Sequence, residues 1–194
     1  GNIEGQAQGG FDLSSVKQYS EGMDLIQDSE VELIDICLPT PMHLEFFQAA
    51  VDSGKHVLLE KPIARTYEQA QQLAQIAGSA AGMVMPAMCM RFWPGWTNLK
   101  QMIDAKTYGK VLGATFRRVT NHPGGFYCNG DAAGGAILDL HIHDTDFIRH
   151  CFGDPTAVSS VGYSQPSNAI DHVVTQYHYE GIPLVVAEGG WSMA

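Results

Sequence analysis

At 194 residues, with 45% hydrophobic and 16% charged residues, the chain has the composition of a globular protein long enough to bury a core. Its net charge of −10, with only 11 Lys and Arg, lacks the dense positive charge that DNA, RNA or an anionic membrane rewards; a small-molecule substrate is expected, with no nucleic acid and no membrane partner. No apolar run reaches the roughly 20 residues of a bilayer span, no basic-then-apolar leader opens the chain, and Cys37, Cys89, Cys128 and Cys151 form no Cys-x-x-Cys pair, so a cytoplasmic protein with reduced, mostly buried thiols is expected.

In chain order, residues 1–10 carry no pattern, 16–19 read as a short strand and 21–27 as a helix. Residues 31–38 are nearly continuous in apolar side chains and stop at Pro39-Thr40-Pro41, as suits a strand buried on both faces of a parallel sheet. A helix should follow, with Thr40 as its cap, Pro41 at its first position, and Met42, Phe46, Ala49 and Ala50 recurring up to Gly54. Residues 56–59 form the next strand. After Glu60-Lys61-Pro62, Thr66 and Gln69 have capping-box spacing, and Ala70, Leu73, Ala74 and Ala77 carry a second helix before a strand over 83–88. This alternation predicts an α/β fold with right-handed crossovers and a Rossmann-like doubly wound parallel sheet. Ligands of such sheets sit at the carboxyl ends of the strands, here Pro39-Thr40, Glu60-Lys61-Pro62 and Met90-Arg91. A dinucleotide site also needs a Gly-x-Gly-x-x-Gly turn after a first strand. Gly5, Gly9 and Gly10 are misspaced for it, so that turn is expected either upstream of residue 1 in a longer parent or not at all.

The character changes after Arg91, and a domain boundary is expected there, between residues 1–90, which carry the parallel sheet, and residues 91–194. Residues 110–120 read as a long strand, with Arg117 and Arg118 on opposite sides, and 121–135 as a Gly- and Pro-rich loop. Residues 157–163, 173–179 and 184–188 alternate as strands of an open, mainly antiparallel sheet, whose exposed face favours a homo-oligomer. Between loop and strands, residues 134–153 read as a largely buried helix, with Asp139, His143, Asp146 and His150 on one stripe at about 100° per residue. Ionisable groups on a buried helix require partners or a cleft. Leu138, Leu140 and Ile142 also alternate with Asp139, His141 and His143, and a strand there would present His141 and His143 as ligands of a metal-dependent hydrolase, with Asp144 or Asp146 completing the set. The length of the apolar pattern favours the helix and leaves the strand as its rival.

Three stretches together resemble the Gfo/Idh/MocA dehydrogenase family: Ile36 through Pro41 to His43 running on to Gly54-Lys55-His56-Val57-Leu58-Leu59-Glu60-Lys61-Pro62, then Met90-Arg91-Phe92-Trp93-Pro94, then Gly134-Gly135 through Asp139 and His143 to Gly153. The resemblance implies a Rossmann domain followed by an α/β domain, with NAD or NADP bound between them and a hydride exchanged with a sugar, polyol or related molecule. By position, Lys61, Asp139 and His143 match the family's catalytic residues, and Pro39, Thr40, His43, Glu60, Lys61 and Arg91 match positions near the nicotinamide; no resident metal is implied. The chemistry agrees, because oxidising an alcohol needs a base, which a histidine of ordinary pKa about 6.5 supplies, and a cation beside the developing alkoxide, which Lys61 supplies. Asp139 would orient the His143 imidazole or hold a neighbouring hydroxyl. Asp146 and His150 are expected as hydrogen-bonding partners, Arg91 equally as an ion pair, and Phe92, Trp93 and Trp96 as packing between domains. A catalytically inactive fragment is the remaining alternative.

Overall fold

The structure, a computed structural model, describes residues 14–191. Its first half builds a parallel sheet in the order β1-β2-β3 from β1 (Leu33–Ile36), β2 (His56–Leu59) and β3 (Val84–Pro86), with Ile34 opposite Val57 and Val57 opposite Val84. Helices α2 (His43–Asp52) and α3 (Tyr67–Gly78) make the two connections, and α1 (Gly22–Gln27) precedes β1. Ile34, Ile36, Val57 and Leu59 alternate along their strands and meet Ile26, Phe47, Ala50, Val51 and Leu73 in one core. Leu33 and Met85, on the other face, are 54% and 46% exposed. The expected burial of β1 on both faces is therefore corrected, because the three helices all pack on one side of the described strands.

Local chemistry accounts for most boundaries. The Thr66 hydroxyl accepts from the Gln69 N–H at 3.3 Å and caps α3, as its spacing predicts. Thr40 does not cap α2: a 3-10 turn over Thr40–Met42 comes first, with Pro39 at its cap, and the buried stripe becomes His43, Phe47, Ala50 and Val51. Residues 16–19 form no strand. Instead the Lys17 and Tyr19 side chains both reach the Asp28 carboxylate.

A 3-10 turn over Cys89–Phe92 leads into α4 (Pro94–Asp104), a helix the sequence reading left unassigned although Pro94 stands at its start. Trp96 packs within the second half, 4.8 Å edge-on to Phe147, while Phe92 and Trp93 are 63% and 49% exposed and do not pack between domains. The second sheet has the order β4-β7-β6-β5, from β4 (Gly113–Val119), β5 (Ala157–Tyr163), β6 (His172–Tyr179) and β7 (Ile182–Gly190). Two of its three pairings are antiparallel, and β4 runs parallel to β7. Residues 121–135 are not uniform loop, since they hold a 3-10 turn (Gly125–Cys128) and a short helix α5 (Gly130–Ala133) capped by the Asn129 side chain. Residues 137–152 are helical: a π turn (Ile137–His141) runs into α6 (Ile142–Phe152), whose Phe147 and Ile148 pack against Phe116, Tyr177, Val185 and Ala187. All four cysteines are free, but Cys37 and Cys128 are exposed rather than buried. Among the described residues no helix is long and apolar enough to cross a membrane.

Candidate functional site

The two sheets meet where the end of β2 faces the π turn. Gly134 and Gly135 open that segment with φ of +84° and +70°. A Cβ on Gly135 would lie 2.5 Å from the Ile170 carbonyl oxygen, so only glycine permits both the backbone conformation and the approach. Gly189 of β7 plays the matching part below: a Cβ there would sit 2.8 Å from His141 Nδ1. The π turn then carries an extra residue relative to α-helical spacing. Asp139 sits within that turn and His143 in α6 just after it.

Lys61 stands just past β2, before a cis bond to Pro62. Its Nζ donates to Asp139 Oδ1 at 2.7 Å and to the Asp139 carbonyl at 3.0 Å, closing an ion pair between the sheets with both side chains about four-fifths buried. Asp139 thus holds the ammonium rather than the imidazole. His143 is half-buried, and its buried Nδ1 has no hydrogen-bond partner among the described residues. Burial holds its pKa below the ordinary value, and the Lys61 and Arg118 cations add to that against the opposing pull of Asp139 and Asp144. The site therefore offers a neutral imidazole and a cation within electrostatic reach of each other.

The remaining predicted residues divide. Pro39 is exposed and Thr40 half-buried at the end of β1, on the strand-end side where Lys61 stands. Glu60 accepts from the Lys61 N–H at 3.0 Å, steadying the same turn. His43 is 1% exposed, with Nε2 2.8 Å from the Leu38 carbonyl and Nδ1 3.3 Å from the Ile63 carbonyl, so it clamps two strand-end loops together. Arg91 forms a two-point ion pair with Asp146 at 2.6 and 2.8 Å, the alternative its residue type allowed. The hydrolase rival fails on geometry, since positions two apart on a helical turn face different sides. His141 is 3% exposed and lies 2.9 Å from Thr175 Oγ1 on the sheet side. Among the described residues no three His, Cys, Asp or Glu side chains gather as metal ligands.

Sequence reasoning missed three neighbours. Arg118 of β4 binds Asp144 of α6 at two points, both 3.0 Å, with Asp144 only 1% exposed. Strand alternation already separated Arg118 from Arg117, which pairs with Glu188 on the other face, but nothing in the spacing named Asp144 as its partner. Tyr127 and His122 come from the 121–135 stretch and pack edge-on to Trp191 at 5.5 and 5.0 Å. Burial, helped by the nearby Asp139 charge, raises the Tyr127 phenol pKa. His122 Nε2, like His143 Nδ1, is buried with no hydrogen-bond partner among the described residues.

Known proteins share the fold. Residues 5–88 match the family model described as an oxidoreductase family with an NAD-binding Rossmann fold, and residues 96–194 match the GFO/IDH/MocA C-terminal domain. The levoglucosan dehydrogenase of Pseudarthrobacter phenanthrenivorans is 29% identical over 161 residues, 78% of this chain and 40% of that protein. The myo-inositol 2-dehydrogenase of Thermotoga maritima is 29% identical over 144 residues, 73% of this chain and 42% of its own length. A levoglucosan dehydrogenase solved with NADH and levoglucosan shares the fold at a TM-score of 0.83 and 24% identity, over 90% of this chain and 52% of that one. The chain spans about half the length of the curated relatives it matches. From the two matched segments, which together run through both sheets and both sides of the Lys61–Asp139 pair, the chain belongs to the GFO/IDH/MocA oxidoreductase family.

Proposed function

We propose that this chain works in an NAD- or NADP-dependent dehydrogenase that exchanges a hydride with the hydroxyl or carbonyl carbon of a sugar, polyol or related small molecule. The observation that carries this is the Lys61–Asp139 pair at 2.7 Å beside the half-buried His143 imidazole, whose Nδ1 has no partner among the described residues. Residues 1–90 would form part of the nucleotide lobe and 91–194 part of the substrate lobe. The names of the relatives, levoglucosan and myo-inositol dehydrogenases, support a polyhydroxylated substrate.

The residues present fit the nicotinamide end of such a cofactor. Pro39, Thr40, Glu60 and Lys61 would border it at the carboxyl ends of β1 and β2, where ligands of parallel sheets bind. A Gly-x-Gly-x-x-Gly turn for the pyrophosphate does not occur among the described residues. When bound, the nicotinamide supplies the hydride acceptor or donor. For alcohol oxidation, His143 accepts the hydroxyl proton, which its depressed pKa leaves it free to do at neutral pH. Lys61, aimed by the Asp139 carboxylate, stabilises the negative charge growing on the substrate oxygen. In the reverse direction the protonated imidazole returns the proton. Tyr127, whose phenol feels the Asp139 charge, would meet the rest of the substrate.

A cytoplasmic location fits four free thiols. A homo-oligomer fits the exposed apolar side chains of the second sheet, Val161 at 80% and Leu184 at 49% among them. The test is nucleotide titration of the whole protein by fluorescence, followed by turnover on a panel of cyclic polyols and anhydrosugars. Saturable binding of NADH or NADPH with reduction of one nucleotide by a panel member is expected. No binding of either nucleotide at millimolar concentration ends the proposal.

A further inference from the structure

Three aspartates within eight residues, Asp139, Asp144 and Asp146, each hold a cation from a different part of the fold: Lys61 after β2, Arg118 of β4, and Arg91 of the crossover. The first and third pairs lie where the first sheet and the crossover meet the helix. The second lies on the sheet side, and neither the proposed chemistry nor the matched motifs use it. We propose that Arg118 is a positioning residue for His143: with Asp144 it fixes the turn of α6 that carries the imidazole and presents a positive charge to it from the second sheet. This rests on the reading of His143 as the base.

The geometry supports more than a packing role. Both Arg118–Asp144 contacts are 3.0 Å, a parallel two-point fit that a single-point cation such as lysine cannot reproduce. Arg118 also donates to Met90 Sδ at 2.8 Å, so one guanidinium joins β4, α6 and the crossover between the sheets. Asp144 adjoins His143 in the chain, and its side chain is 2% exposed, so it cannot swing away into water. The charged groups facing His143 are then Lys61 from the end of β2, Asp139 from the π turn, Asp144 from α6 and Arg118 from β4. Each cation opposes the carboxylate it pairs with. Burial together with the two cations outweighs the two carboxylates and keeps the ring neutral. Arg118 matters because it cancels Asp144, a buried carboxylate that alone would pull a proton onto the imidazole and remove the base.

The experiment is an NMR titration of His143 in this chain, assigned by loss of its signal in His143→Gln, and repeated in Arg118→Met, Arg118→Lys and Asp144→Asn. Arg118→Met should raise the His143 midpoint and Asp144→Asn should lower it, each by roughly half a pH unit or more. Arg118→Lys should return the midpoint toward the parent value while leaving the ring less ordered. Should Arg118→Met fail to fold, the near-isosteric Asp144→Asn decides alone: a raised or unchanged midpoint overturns the proposal, as do shifts of the same sign in both variants. The titration needs no turnover, so it stands apart from the base assignment. Full activity of a His143→Gln whole protein would remove the base while leaving the electrostatic result intact.

Discussion

Lys61 and Asp139 bring opposite charges together at 2.7 Å on side chains only 20% and 18% exposed. Desolvation at that depth works against the charged forms, and the pair is stable because each partner compensates the other. Removing one therefore has two effects, loss of the cation at the reacting oxygen and exposure of an uncompensated carboxylate to the neighbouring His143. In the whole protein Lys61→Ala should lower kcat by about 10²–10⁴-fold, and Lys61→Met should not restore it, since the methionine keeps the length and lacks the charge. His143 adds a pH signature. Its pKa is held below about 6.5 by burial and by Lys61 and Arg118, and only the neutral ring accepts a proton. Log kcat/KM for alcohol oxidation should rise with pH through a midpoint below about 6.5 and then level off. A midpoint above neutrality would transfer the base role to another group.

At the scale of elements, the junction depends on two close approaches. The Gly134-Gly135 pair lets the chain turn into the π segment against Ile170, and Gly189 lets His141 settle on β7. Gly135→Ala would meet both a positive φ of +70° and a contact of 2.5 Å with backbone, and neither can relax by moving a side chain. It should lower unfolding free energy by at least about 2 kcal/mol in urea titration, and in the whole protein it should cost activity even where the protein folds, because the π turn carries Asp139. An unchanged stability would show that the turn has another route. These approaches also mark the limit of what could be read in advance. The strands around Thr175 and Val185 were legible because alternation reports burial, and α3 because Thr66 and Gln69 announce its start. The π turn was not, since five residues are too short a stretch for its wider winding to stand out from an α-helix in the apolar pattern. Asp139 was accordingly expected to orient His143 or to hold a substrate hydroxyl, and its pairing with Lys61 was not foreseen. His43 carries the opposite lesson: its motif position suggested a ligand contact, and only coordinates show both ring nitrogens facing backbone carbonyls.

On the scale of the whole molecule, the helical segment from Asp139 to His150 imposes its own pH dependence on folding. His141, His143 and His150 all have pKa values lowered first by burial, so the folded state resists protonation that the unfolded chain accepts. In the window from about 6.5 downward to the folded values the unfolded state binds more protons, and unfolding free energy falls as pH falls. Above about 6.5 both states are neutral at these positions and the contribution is fully present. The carboxylates whose pKa values lie below the usual range, Asp28 and Asp171, act in the opposite part of the scale. Their stabilisation is intact above about 4 and is lost only below it, so they leave the region between pH 5 and 7 to the histidines. Urea midpoints measured from pH 7.5 to 5 should therefore decline, most steeply below about 6.5, and the decline should shrink in His143→Gln, whose side chain cannot take up a proton. A flat profile across that range would mean that water reaches the imidazoles of α6 in the native state. The same access would dissolve the distinction between a buried neutral base and an ordinary surface histidine on which the proposed chemistry relies.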